Sequence, residues 1–97
     1  MATQLRRYRT KPGQGGQFAT EWREHVAPLR ERFGFRVNGW LLTSGDEFVW
    51  VIEHDGDHAS FEAAESAYYA SAERKAMAPD PARLVAETHE EWMTTIG

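Results

Sequence analysis

Two apolar runs, FRVNGWLLT and EFVWVIEH, flank a Ser44-Gly45 turn between Phe35 and His54. Runs of this length, rich in β-branched and aromatic residues around a Gly turn, predict two strands joined as a hairpin. With Ser44 and Gly45 as the loop and Thr43 facing Asp46, Phe35, Val37, Gly39 and Leu41 share one face with Phe48, Trp50, Ile52 and His54. The other face carries Arg36, Asn38, Trp40 and Leu42 with Glu47, Val49, Val51 and Glu53. A slip of one residue would pair Val37 with Glu53 and mix the faces, so the pattern selects the first register. That register sets Arg36 opposite Glu53 and Trp50 opposite Gly39, where the indole is placed to cover bare backbone. The first face is apolar along its length and needs helices over it. The second is apolar in the middle and charged at its ends.

Elsewhere the pattern divides the chain into four further elements. Gln4 to Thr10 alternates as a strand, with Arg6 and Tyr8 on one side and Leu5, Arg7 and Arg9 on the other. Lys11 to Gly16 is a Pro/Gly breaker cluster without the Lys-Ser ending of a phosphate loop. From Gln17 to Phe33, the residues Phe18, Trp22, Val26, Leu29 and Phe33 recur at helical spacing, and Glu21, Arg23, Glu24, Arg30 and Glu31 are assigned to the opposite, solvent side. Pro28 inside this pattern predicts a kink or a break, and Gly34 a left-handed cap. Asp57 is placed to cap a helix from His58 to Ser71 whose inner side is Phe61, Ala64, Glu65, Tyr68 and Tyr69. A short helical turn over Ala72 to Met77 precedes Pro79 and Pro81. Loose alternation from Leu84 to Thr94 predicts a last strand, with a C-terminal helix as the alternative.

The order strand, helix, strand, strand, helix, strand predicts a single α+β domain over residues 1–97. Its expected architecture is ferredoxin-like βαββαβ, with a four-stranded antiparallel sheet carrying both helices on one face. The helices then cover the Trp50 face. The face of Trp40, Leu42, Val49 and Val51 stays bare, and a patch of that size predicts a homodimer with two sheets packed face to face.

Composition narrows the function classes. At 97 residues, 41% hydrophobic and 12% aromatic, the chain is long enough for one core. A net charge of −4 gives no basic footprint and disfavours a nucleic-acid partner. The absence of cysteine removes disulfides, thiol nucleophiles and Cys-based metal sites, and fits a reducing, cytoplasmic location. The opening residues run into arginines without the apolar stretch of a signal peptide, and no run suits a membrane span.

Several of these residues, taken in order, resemble the NIPSNAP family. Leu5 to Gly13 is similar to its opening Arg-x-Tyr strand and Pro-Gly turn. The similarity continues through Phe18, Trp22, Pro28, Gly34, Gly39-Trp40, Phe48-Val49-Trp50, Tyr68-Tyr69-Ala70-Ser71 and Glu73-Arg74. It spans roughly residues 4 to 85, and order and spacing carry it rather than any one motif. The family lies in the dimeric α+β barrel superfamily, which includes cofactor-independent monooxygenases, isomerases and haem-degrading enzymes. The resemblance implies the fold and the dimer, and leaves the reaction open.

It also implies a ligand pocket between the helices and the concave sheet face. On that face lie Trp50 and His54, joined by Trp22 and His25 from the first helix, Tyr68 and Tyr69 from the second, and Arg6 and Tyr8 if their side of the strand points inward. Such a set suits a flat, apolar substrate with one polar end; the same aromatics would equally serve as core. His54, at the end of an apolar strand, and Tyr69 are the candidate proton-handling groups, because imidazole titrates near neutrality. His89 between Glu87 and Glu91 reads more simply as edge-strand charge. The ligand-rich stretch Glu53 to His58 is interrupted by Gly56 and explained by the Asp57 cap, so no metal or other cofactor is expected. Function therefore reads as binding, with cofactor-independent transformation, of a small apolar or aromatic metabolite. A non-catalytic dimeric module, or a haem- or metal-binding protein, is the alternative.

Overall fold

Burial alternates along the first strand. Ala2, Gln4, Arg6 and Thr10 are buried and Tyr8 half-buried, while Arg7 and Arg9 face solvent. A computed structural model describes residues 1–97 and assigns this segment to β1 (Ala2–Thr10). Two strands flank it, so its backbone groups are paired on both edges and the Arg6 side faces the helices.

α1 (Gly15–Glu21) passes through a wide π turn (Trp22–Val26) into α2 (Ala27–Arg32). The expected break into two short helices is present, but a π turn ahead of Pro28 makes it rather than a disrupted helix at the proline itself. The Ala27 N–H instead donates five residues back, to the Trp22 carbonyl, and Pro28 falls in the first turn of α2, where its missing N–H is tolerated. Gly34 caps the segment at φ 89°. The solvent face expected for Glu21 and Arg30 is also corrected, since both are buried. Arg30 stands four residues after Val26 and Glu21 three after Phe18, so helical spacing puts them on the apolar stripe whatever their charge. Glu21 is compensated there by a forked pair from Arg83, at 2.6 and 2.8 Å.

β2 (Phe35–Leu41) and β3 (Glu47–His54) pair in the register that the pattern selects, Phe35 with His54 through Leu41 with Phe48. Their connection is longer than a two-residue turn. Residues 42–46 form the loop, closed where the Leu42 N–H donates to the Glu47 carbonyl at 2.9 Å, with Gly45 at φ 95°. Gly39 does lie opposite Trp50, but other rings cover it. A Cβ there would sit 2.5 Å from the Phe48 ring and 3.0 Å from that of Trp22. Arg36 pairs with Asp55 at 2.7 Å, although its register partner is Glu53.

Asp57 caps α3 (His58–Ala70) by accepting from the Ser60 N–H at 2.9 Å. α4 (Ala72–Lys75) and a 3-10 turn (Pro81–Leu84) lead into β4 (Val85–Met93), which is a strand and pairs antiparallel with β1. The sheet order β2-β3-β1-β4 is the ferredoxin-like α+β arrangement. Phe18, Trp22 and Val26 from the helices and Phe61 from α3 meet Phe35, Phe48, Trp50 and Ile52 in one core.

The opposite sheet face has no layer over it, and the molecule is a slab of 36 × 36 × 18 Å. Trp40 is 54% exposed there and Leu42 38%, at the β2 edge, with Val49 and Val51 of β3 and Leu5 of β1 half-buried beside them. Charged pairs frame this strip: Arg7 meets Glu47 and Arg9 meets Glu87, both at 2.6 Å. No helix is long and apolar enough to cross a membrane.

Candidate ligand cleft

A cleft of about 430 Å³ lies between the helices and the inner sheet face. Phe18, Trp22 and Val26 from the helical segment, with Tyr8 and Trp50 from the sheet, make its apolar wall. Tyr68, Tyr69 and Arg74 close one side, and Pro81, Ala82 and Val85 another. Glu87, Thr88 and Glu90 of β4 stand at its edge. The rings contact one another edge-on, Tyr8 against Trp50 at 5.8 Å and Trp22 against Trp50 at 5.7 Å, so the wall is stiff.

Beneath this wall is a buried charge cluster. The guanidiniums of Arg6 and Arg30, each with a side chain only 1% exposed, share the Oε1 of Glu65 at 2.6 and 2.8 Å. Arg6 also donates from Nε to Gln4 at 2.7 Å, and Nε lies 3.2 Å from Oε2 of Glu90. Arg30 lies over the Tyr68 ring at 3.9 Å and donates to the Tyr69 hydroxyl at 3.3 Å. Burial pushes the Glu65 carboxyl up, but the two arginines outweigh it and hold it below the usual carboxylate range. Burial likewise raises the phenols of Tyr8 and Tyr68, against the pull of Arg6 and Arg30 respectively. Both are neutral phenols at pH 7. The indole N–H groups of Trp22 and Trp50 and the Nε–H of Arg30 have no protein acceptor.

Of the residues picked from sequence, the structure gathers Tyr8, Trp22, Trp50, Tyr68 and Tyr69 around the cleft. Arg6 stands one layer behind, its guanidinium 5.1 Å from the Trp50 ring centre. His54 and His25 are not part of the wall. His54 pairs with Ala2 at the start of β1, whereas Trp50 pairs with Arg6. Four residues of strand separate them, about 13 Å. The His54 ring packs edge-on against Phe35 at 5.5 Å, and its Nδ1 accepts from the Gly56 N–H at 3.1 Å. It secures the end of β3. His25 is half-buried in the π turn.

Sequence reasoning missed Arg30, Arg74 and Glu90. Spacing alone would have found Arg30, which continues the Trp22, Val26 stripe. Glu90 shares the inner face of the last strand with Trp92, a signal present in the alternation but masked by its charge. No group of three or more His, Asp or Glu side chains is arranged to hold a metal ion, and no histidine lines the cleft to ligate a haem iron.

Known proteins supply a structural comparison. No family model matches the chain, and no curated protein matches it in sequence. A NIPSNAP domain protein from Burkholderia xenovorans superimposes with a TM-score of 0.84 at 17% identity, over 99% of this chain and 95% of that one. A NIPSNAP family protein from Agrobacterium tumefaciens gives 0.83 at 10% identity, over 98% and 92%. A mutant of SnoaB, a cofactor-independent oxygenase from Streptomyces nogalater, gives 0.71 at 18% identity, over 97% and 91%. At such identities the likeness is one of fold: this chain has the α+β fold of the NIPSNAP domain proteins.

Proposed function

We propose that this protein binds a small, flat, largely apolar metabolite in the cleft and transforms it without a cofactor. The observation that carries this is the unfilled space itself. Trp22, Trp50 and Tyr68 are buried, yet beside them remain about 430 Å³ walled by aromatic rings and edged by hydroxyl, guanidinium and carboxylate groups. That volume falls within the range of small-molecule sites. The fold shared with SnoaB, a cofactor-independent oxygenase, is consistent with the absence of any cofactor from the mechanism.

The working unit in this proposal is a homodimer, formed when the strip of Trp40, Leu42, Val49 and Val51 meets the same strip of a second copy. A sheet face with a half-exposed tryptophan on its β2 edge, apolar residues of β3 and β1 beside it and ion pairs beyond suits a self-complementary contact.

Titration with 2-naphthol, followed by tryptophan fluorescence, tests the ligand reading. Saturable quenching is expected, and Ala86→Trp, which puts an indole at a residue that lines the cleft next to Val85, should abolish it. Quenching that never saturates, or that survives Ala86→Trp unchanged, overturns the proposal.

A further inference from the structure

The cleft contains no histidine, lysine, cysteine or aspartate, so its proton chemistry falls to very few groups. Arg30 and Arg74 stay protonated at any working pH. The phenols of Tyr8 and Tyr68 are raised by burial and serve as donors, not bases. Glu87 is held from outside, with Arg9 on both of its oxygens at 2.6 and 3.3 Å. Glu90 differs. Its Oε2 lies 3.2 Å from the Arg6 Nε, while no protein hydrogen bond to its Oε1 is present, and its side chain is 47% exposed. Arg6 is itself immobilised by Gln4, which takes its Nε–H, and by Glu65, so its fixed charge attracts the Glu90 carboxylate from behind while neither Glu90 oxygen accepts a protein hydrogen bond.

A suitable proton donor is also present. The Tyr69 hydroxyl accepts from Arg30 at 3.3 Å, which leaves its own proton to donate and polarises it toward doing so. A free carboxylate oxygen and a polarised phenol on the same aromatic cleft are the parts needed to remove a proton from carbon beside a carbonyl.

We infer that Glu90 is a proton-transfer residue and that the ligand class is an enolisable aromatic ketone, an assignment that rests on the cleft being a ligand site. Glu90 takes the proton from the α-carbon. The C–H electron pair becomes the new C=C bond, the carbonyl π pair moves onto oxygen, and Tyr69 donates a hydrogen bond to the resulting enolate. The Glu90 carboxyl, 47% exposed, swaps that proton with solvent and then delivers one either to the same carbon or to a conjugated one. The first outcome is exchange and the second isomerisation; neither gains or loses electrons, and no co-reactant is consumed.

The test uses 2-tetralone, whose benzylic methylene is activated by its ketone, with full-length protein in deuterated buffer. Deuterium uptake is read by NMR and binding by tryptophan quenching. Wild type should accelerate uptake over buffer. Glu90→Gln should lower the accelerated rate by about 100-fold or more while the quenching midpoint stays within about threefold. Glu90→Asp keeps the charge but withdraws the oxygen by roughly the one ångström that costs a catalytic group about 100-fold. It should therefore bind normally and exchange slowly, and it carries the test if Glu90→Gln fails to fold. Wild type that binds 2-tetralone without accelerating uptake, or either variant exchanging at the wild-type rate, overturns the role of Glu90. Failure of 2-tetralone and 2-naphthol alike to quench saturably overturns instead the ligand-site reading beneath it.

Discussion

Glu65 offers the sharpest test of how the inner layer is held. It is the shared carboxylate between two arginines whose side chains are each 1% exposed, at 2.6 and 2.8 Å. Glu65→Gln preserves the shape but leaves two guanidiniums buried with one compensating charge fewer. Removing one partner of a buried ion pair costs about 3–5 kcal/mol. The Glu65 side chain is 24% exposed, so water offsets part of the loss and the lower end, about 3 kcal/mol, applies. A domain of this size loses about 4–8 °C of melting temperature per kcal/mol, giving an expected fall of roughly 12–24 °C. The pH dependence has a definite sign. The folded Glu65 pKa lies below its ordinary value, since Arg6 and Arg30 outweigh the opposing effect of burial. Its stabilisation is therefore complete above the unfolded value of about 4.3 and is lost as pH falls from there through the lowered folded value. The gap between wild type and Glu65→Gln should be widest near neutrality and close in acid. Urea unfolding followed by circular dichroism at pH 7 and at stepwise lower pH measures both. A variant within about 0.5 kcal/mol of wild type at pH 7, with the same m-value, would refute the reasoning.

Further outcomes follow from other contacts. A Cβ on Gly15 would overlap the Gly45 carbonyl oxygen, so Gly15→Ala must push the start of α1 away from the 42–46 loop; calorimetry should show a loss of about 1–3 kcal/mol or more, and an unchanged melting temperature would contradict the contact. Val49→Lys on the outer strip should give monomers or aggregates in light scattering, and an unaltered dimer would assign the interface elsewhere. His54→Ala should leave 2-naphthol quenching as in wild type, since His54 is outside the cleft wall, and a several-fold weaker midpoint would return it to the site. Tyr69→Phe removes the hydroxyl that Arg30 contacts at 3.3 Å; deuterium uptake by 2-tetralone should slow by about tenfold or more, and an unchanged rate would separate Tyr69 from the chemistry.

The alternation of apolar residues, by itself, determined the hairpin register, the element order and the ferredoxin-like sheet. These follow from a period of two in strands and near four in helices, which the paired strands Phe35–Leu41 and Glu47–His54 keep on their inner face. The Gly34 and Asp57 caps were legible for the same local reason. Side-chain position along a strand was not legible in the same way. Trp50 and His54 share a face, yet only the pairing of β3 with β1 shows that one faces the cleft and the other the far end of the sheet. Charge also misled where spacing would have served. An ionised group is costly to bury, which argues for Arg30 and Glu21 facing outward, and only the packed structure supplies the partners, Glu65 and Arg83, that make their burial tolerable. Glu90 was hidden for the converse reason, since an exposed edge-strand carboxylate looks like solvent charge until Arg6 is found behind it. The sequence alone thus settled the sheet, with its helix-covered face and its bare one. The tertiary structure decided that aromatic rings leave a space on the covered face, and that carboxylate and phenol, not imidazole, stand beside it.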